Sequence, residues 1–173
     1  IHTGLRFGEL SALETTDIDT KNLTIRISKT YDSINDIVTT PKTDNSKRTI
    51  HIQPDLLLEL KKCLLWRNEM MLANNIRSGL LIPNIKTGEH LQIAGYEKYL
   101  RVTSEKLLGR HVTPHMLRHT HASLLAANGM TPDEIARRLG HSKSTITSKI
   151  YIHVTQKVIE NDNRKLDQIK LFS

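Results

Sequence analysis

The chain has 173 residues, of which 38% are hydrophobic and 25% charged, and carries a formal net charge of +7. That is enough apolar material for a core and excludes wholesale disorder. No apolar run reaches membrane-span length, since Glu59, Lys61 and Lys62 interrupt the longest leucine-rich stretch, and a single cysteine, Cys63, excludes an internal disulfide and a cysteine-cluster zinc site.

In chain order, Thr3 precedes a short helical stretch with Leu5, Leu10 and Leu13 as its apolar positions. Leu23, Ile25 and Ile27 alternate with Thr24, Arg26 and Ser28, the period of a half-buried strand. Ile37 to Thr40 and the alternation Thr49-Ile50-His51-Ile52 flank the turn-forming stretch Thr43-Asp44-Asn45-Ser46. Residues 22–53 therefore predict a three-stranded antiparallel sheet. From Pro54, a first-turn proline, a helical pattern runs through Leu57, Leu60 and Leu64 to Met71. Leu80-Leu81-Ile82 is a short apolar piece, Lys86 to Glu89 a turn, and Tyr96, Tyr99, Leu100, Thr103 and Leu107 mark another helix.

Two later helices announce both their ends. Thr113-Pro114 is a cap and first-turn proline for a helix that stops at Asn128-Gly129, and Thr131-Pro132-Asp133-Glu134 is a capping box for one that stops at Gly140. A further helix carries Ile150 and Tyr151, and a polar helical pattern with Val158, Leu166 and Ile169 ends the chain. The expected fold class is α+β, mainly α-helical, with a small three-stranded antiparallel sheet near the N-terminus.

Charge is unevenly placed. Residues 1–100 hold 13 Lys and Arg against 12 Asp and Glu, whereas residues 101–173 hold 12 against 6 and six of the nine histidines. A basic half points to a polyanion, nucleic acid before an anionic membrane.

Within that half, His115 and Arg118 stand three apart on one helix face. The arginine is a fixed planar fork suited to phosphate, and the histidine exchanges a proton near neutrality. Alone, such a pair is commonplace. Arg6 and Glu9 form a second i, i+3 pair, in which the carboxylate can hold the guanidinium. Lys42 lies at the predicted sheet turn, His141 follows the Gly140 stop, and Tyr151 comes ten residues later.

Taken in order, Thr3-Gly4-Leu5-Arg6 with Glu9, Lys42-Thr43 with Ser46 and Arg48, His115-Met116-Leu117-Arg118-His119-Thr120, Leu139-Gly140-His141-Ser142 and Tyr151-Ile152-His153-Val154 resemble the catalytic domain of the tyrosine recombinases, the phage-integrase family. The likeness is greatest to integrases of Gram-positive phages and conjugative transposons. It implies the tyrosine recombinase catalytic-domain fold over residues 1–155 and a helical tail, 156–173, that docks on a neighbouring protomer. It also implies an N-terminally truncated fragment, in keeping with a start at Ile1 rather than Met.

The implied chemistry is metal-independent and needs no cofactor. Tyr151 attacks a DNA phosphodiester to give a 3′-phosphotyrosyl link and a free 5′-hydroxyl. Arg6, Arg118 and His141 stabilise the phosphate, Lys42 protonates the leaving oxygen, His115 helps take the tyrosine proton, and Glu9 orients Arg6. Arg48, Arg137, Lys143 and Lys149 are expected DNA contacts. The implied partners are double-stranded attachment sites and a homotetramer on DNA, with no membrane, in the bacterial cytoplasm.

Two rival readings give different roles to the same residues. A helix-turn-helix over residues 132–154 makes the chain a DNA binder without chemistry and leaves Arg6, Lys42 and the His115–Arg118 pair unused. A metal hydrolase built on His115, His119 and His121 lacks an acidic ligand beside them, and His121 falls on a different part of the helix.

Overall fold

In a computed structural model, residues 1–40, 46–141, 147–148, 151–152, 154–156, 160 and 164 are described. The elements in chain order are α1 (Phe7–Ser11), a 3-10 turn (Thr15–Asp17), β1 (Ile18–Asp19), β2 (Thr24–Ile27), β3 (Thr30–Asp32), β4 (Ile37–Thr39), β5 (Arg48–His51), α2 (Pro54–Ala73), α3 (Ile93–Leu108), α4 (Pro114–Ala127) and α5 (Pro132–Leu139). The described residues between 147 and 156 are also helical.

The alternation in β2 buries Ile25 and Ile27 and leaves Arg26 outside. Its antiparallel register sets Ile25 opposite Ile50 of β5, so both point into one core with Leu13, Ile52, Leu57 and Leu81. Full burial of each such side chain contributes about 1.5–3 kcal/mol.

The sheet differs from the sequence expectation in its membership. A three-stranded antiparallel sheet is present, in the order β1–β2–β5. The segment around Val38, however, pairs with Thr30–Asp32 in a separate two-stranded hairpin, with Tyr31 opposite Val38. Asp32 explains the hairpin: its carboxylate accepts the backbone N–H of Ile34 and Asn35 and turns the chain immediately after β3. The two-residue β1, paired to β2 through Ile18 and Ile25, takes the vacated place in the sheet. It is too short to show a period.

The helical half has its own core. Ala122 and Ala126 of α4 meet Ile135 and Leu139 of α5, each pair spaced i, i+4, and Leu125, Met130, Tyr151 and Val154 pack around them. Capping matches the sequence reading: the Thr113 hydroxyl accepts the Met116 N–H, and Thr131 and Glu134 close a capping box. Gly140 ends α5 at φ 68°, a left-handed conformation that glycine adopts without penalty. These two ends aim Arg118 and His141 at the same place.

Candidate active site

The chain leaves α5 through three carbonyls that can no longer bond within the helix, and three arginines from three different segments cap them. Arg48 Nε donates to the Arg138 carbonyl at 2.6 Å, Arg118 Nη2 to that of Leu139 at 2.6 Å, and Arg6 Nη2 to that of Gly140 at 3.2 Å. The negative end of the α5 dipole thus draws the cations to one spot.

Glu9 joins the same three side chains from the other side. It is 2% exposed and accepts the Arg6 backbone N–H and Arg6 Nη1. It also accepts both Nη atoms of Arg48, in a bidentate fork at 2.9 and 3.0 Å, while Arg118 Nη1 stands 3.9 Å away. Burial alone would raise the Glu9 pKa; the bonds and charges of Arg48, with those of Arg6, reverse that and hold it below the usual carboxylate range. Three guanidiniums around one carboxylate leave a surplus of positive charge for an incoming anion.

That surplus opens onto a cleft of about 150 Å³ lined by Arg6, His115, Arg118, His119, Ala122, Leu139 and His141. Arg6 is the most available of the three cations, with its side chain 41% exposed against 6% for Arg118. Arg118 Nη1 also bonds the Gly4 carbonyl at 2.5 Å. Burial, then repulsion from Arg6, lowers its pKa to about 10, which still leaves it charged at neutral pH. His115 and His119 stand on the exposed rim in edge-to-face contact, their centroids 5.4 Å apart.

His141 sits at the cleft as a neutral imidazole. Burial, reinforced by the charges of Arg118, Arg6 and Arg48, pushes its pKa down to about 4. Its Nδ1 lies 2.9 Å from the hydroxyl of the fully buried Thr147. The group is therefore a hydrogen-bonding partner at neutral pH and not a cation.

Gly4 makes the arrangement possible. Its φ is +65°, and a Cβ there would lie 2.5 Å from His121 Cδ2 and 2.6 Å from Leu139 Cδ2. Without that close approach the Gly4 carbonyl could not reach Arg118.

Of the sequence-predicted site residues, Arg6, His115, Arg118 and His141 come together in the cleft, with Glu9 beneath them. Tyr151 is half-buried and packs on the Ala122–Ala126–Ile135–Leu139 core, two members of which, Ala122 and Leu139, line the cleft. Arg137 is exposed on α5. Lys42, Lys143 and Lys149 lie outside the described residues, as do Val158, Leu166 and Ile169 of the tail.

Arg48 departs from its expected place on the DNA surface. Its side chain is 7% exposed, and four donor contacts, to Glu9, Ser46 and Arg138, turn its guanidinium inward. His121 also leaves the metal constellation considered from sequence: it is buried, and its Nε2 accepts from Arg138 Nε at 3.2 Å. Burial, with the Arg138 charge, holds its pKa at about 4. The sequence reading quotes Gly4 in the Thr3-Gly4-Leu5-Arg6 stretch but gives it no role, and it misses Arg138 and the inward role of Arg48, whose partners lie far along the chain.

The phage integrase family model matches residues 1–157 of the chain. The chain belongs to the phage integrase family. It is similar to the integrase of Staphylococcus phage L54a, 35% identical over 96% of this chain and 49% of that protein. It also resembles a XerC-like tyrosine recombinase of Caldanaerobacter subterraneus, 30% identical over 96% of this chain and 47% of that protein. The chain thus spans about half the length of these curated relatives.

Among solved structures, the XerA recombinase superimposes with a TM-score of 0.72 at 24% identity, over 98% of this chain and 55% of that one. The Tn1549 transposon integrase in complex with transposon right end DNA gives 0.71 at 22% identity, over 92% and 55%. The fold is that of the integrase catalytic domains, mainly helical with small antiparallel sheets. Membership in this family does not favour the reading as a helix-turn-helix binder without chemistry.

Proposed function

We propose that this integrase-family protein is a site-specific recombinase that breaks and rejoins double-stranded DNA through a 3′-phosphotyrosyl intermediate. The observation that carries the reading is the convergence of Arg6, Arg118, His115 and His141 on one cleft, with Tyr151 packed on the core that forms its wall.

The cleft suits a phosphodiester in charge and in donors. Arg6 and Arg118 stabilise the charge that builds on the non-bridging oxygens as the phosphorus becomes five-coordinate. His141, neutral at working pH, contributes a hydrogen bond: in the tautomer whose Nδ1 accepts from the Thr147 hydroxyl, Nε2 is the ring nitrogen that carries the proton and can donate to a phosphate.

A phenol is a weak nucleophile until its proton is removed, so Tyr151 needs a base or close cations to attack. His115 on the rim takes its proton. The tyrosyl oxygen–phosphorus bond forms as the phosphorus–5′-oxygen bond breaks, and Lys42 protonates the departing oxygen. One phosphoester replaces another, so the energy of the broken bond is retained for rejoining.

Arg137, Lys143 and Lys149 are proposed backbone contacts, and the tail from residue 156, with Val158, Leu166 and Ile169, a docking segment for a second protomer in a tetramer on DNA. The site of action is the bacterial cytoplasm, where the DNA is; no helix among the described residues is long and apolar enough to cross a membrane.

The test is a nicked duplex spanning the attachment site, from which cleavage releases a short strand and traps the enzyme. The wild-type protein is expected to form a denaturation-resistant adduct, and Tyr151→Phe to bind the duplex without forming one. An adduct of normal yield in Tyr151→Phe would sink the proposal.

A further inference from the structure

Arg48 does not line the cleft, yet its guanidinium joins Glu9, which holds Arg6, to the end of the helix that precedes His141. Nη1 and Nη2 grip both oxygens of Glu9, the carboxylate that holds Arg6; Nε binds the Arg138 carbonyl in the last turn of α5, three residues before His141; and Nη1 also binds the Ser46 carbonyl. In the opposite direction, Arg138 Nη1 donates to the His51 carbonyl at the end of β5. Strand and helix are thereby clasped twice, and the strand carries Arg48 itself.

We propose that Arg48 is a positioning residue for strand cleavage: by bridging Glu9 to the end of α5 it fixes the distance between the Arg6 guanidinium and the His141 imidazole, and so the shape of the phosphate site. The inference rests on the recombinase reading above and extends it to a residue that touches no DNA.

Only an arginine fulfils this role. A lysine ammonium gathers its three donors on one nitrogen and cannot span partners on two sides, whereas the planar fork reaches Glu9 through Nη1 and Nη2 and the Arg138 carbonyl through Nε. When the bridge fails, Glu9 and Arg6 can still pair, but their position relative to His141 is no longer set. Displacement by about 1 Å at a reacting centre lowers rates by roughly a hundredfold.

The experiment uses the protein with the nicked attachment-site duplex and measures three quantities for Arg48→Lys: the rate of adduct formation at saturating DNA, the Kd for the same duplex with its salt dependence, and the thermal midpoint. The proposal predicts a rate lower by roughly a hundredfold, with Kd within about twofold and an unchanged salt slope, because no phosphate contact has been removed. Glu9→Gln should slow the rate by a similar factor, and the double variant Glu9→Gln/Arg48→Lys should be no slower than either single one, since the two act as a unit.

A normal saturating rate in Arg48→Lys overturns the proposal. So does weaker binding with a salt slope reduced by about one, which would mark a phosphate contact, and so does an additive double variant. Should Arg48→Lys fail to fold, Glu9→Gln/Arg48→Gln removes both buried charges together; it must show the same rate loss with DNA affinity kept, and a wild-type rate there refutes the idea. Absence of any Tyr151-dependent adduct in the wild-type protein would instead refute the recombinase reading, and this inference with it.

Discussion

Arg48 and Arg138 each donate a hydrogen bond to the backbone of the other's element: Arg48 Nε to the Arg138 carbonyl at 2.6 Å, and Arg138 Nη1 to the His51 carbonyl of β5 at 2.9 Å. This reciprocal clasp joins the sheet near the N-terminus to the helix that precedes His141. It makes the geometry of the cleft a property of the whole domain. Arg138→Met keeps much of the apolar stem and removes the donors to His51 and His121. The expected loss is about 1–3 kcal/mol, read as a lower urea midpoint with an unchanged m-value.

Glu9 carries the heaviest stability burden in the site. Glu9→Ala leaves the buried Arg48 guanidinium facing a cavity without its counter-charge, and breaking a buried pair in this way costs about 3–5 kcal/mol. Equilibrium unfolding should show that loss. A change below about 1 kcal/mol would mean that the Arg138 and Ser46 carbonyls alone satisfy Arg48.

Gly4→Ala combines a left-handed backbone with overlap against His121 and Leu139. Strain and overpacking together predict a loss of about 2–4 kcal/mol. Gly95→Ala in α3 meets nothing within 4 Å and has no positive φ, so it serves as the control. It should be neutral or stabilising by up to about 1 kcal/mol. Thermal unfolding of the two variants side by side measures the contrast.

The two depressed histidines set a pH dependence of stability. His121 and His141 hold pKa values of about 4 in the folded chain against 6.5 for the free side chain. Below 6.5 the unfolded chain takes up protons that the folded one refuses, so stability falls as pH drops from 6.5 toward 4 and levels off below that. On the order of 3 kcal/mol per histidine is at stake over the whole range, about 2 of it between pH 7 and pH 5. Denaturant titrations at pH 7 and pH 5 test this above the range where Glu9 contributes. His141→Asn should flatten the slope by about half.

What was legible in the sequence was local. Thr113-Pro114 and Thr131-Pro132 with Glu134 fixed two helix starts, Gly140 fixed a stop, and the i, i+3 spacing put His115 beside Arg118 and Arg6 beside Glu9. Capping and periodicity act within a few residues and leave a visible mark. The partition of the strands was not legible, because β1 has two residues and β4 is exposed throughout, so neither shows an alternation. Nor was the inward turn of Arg48, whose partners Glu9 and Arg138 lie 39 and 90 residues away along the chain. A long-range hydrogen bond has no period to detect.

The central claim is that Tyr151 becomes covalently joined to DNA, and the direct measurement is the identity of the modified residue. The adduct formed on a nicked attachment-site duplex is digested with trypsin and nuclease, and the peptide running from Ile150 to Lys157 is sequenced by mass spectrometry. The expected result is a nucleotide joined through its 3′-phosphate to Tyr151; a nucleotide on any other side chain, or a 5′-phosphate linkage, would contradict the account.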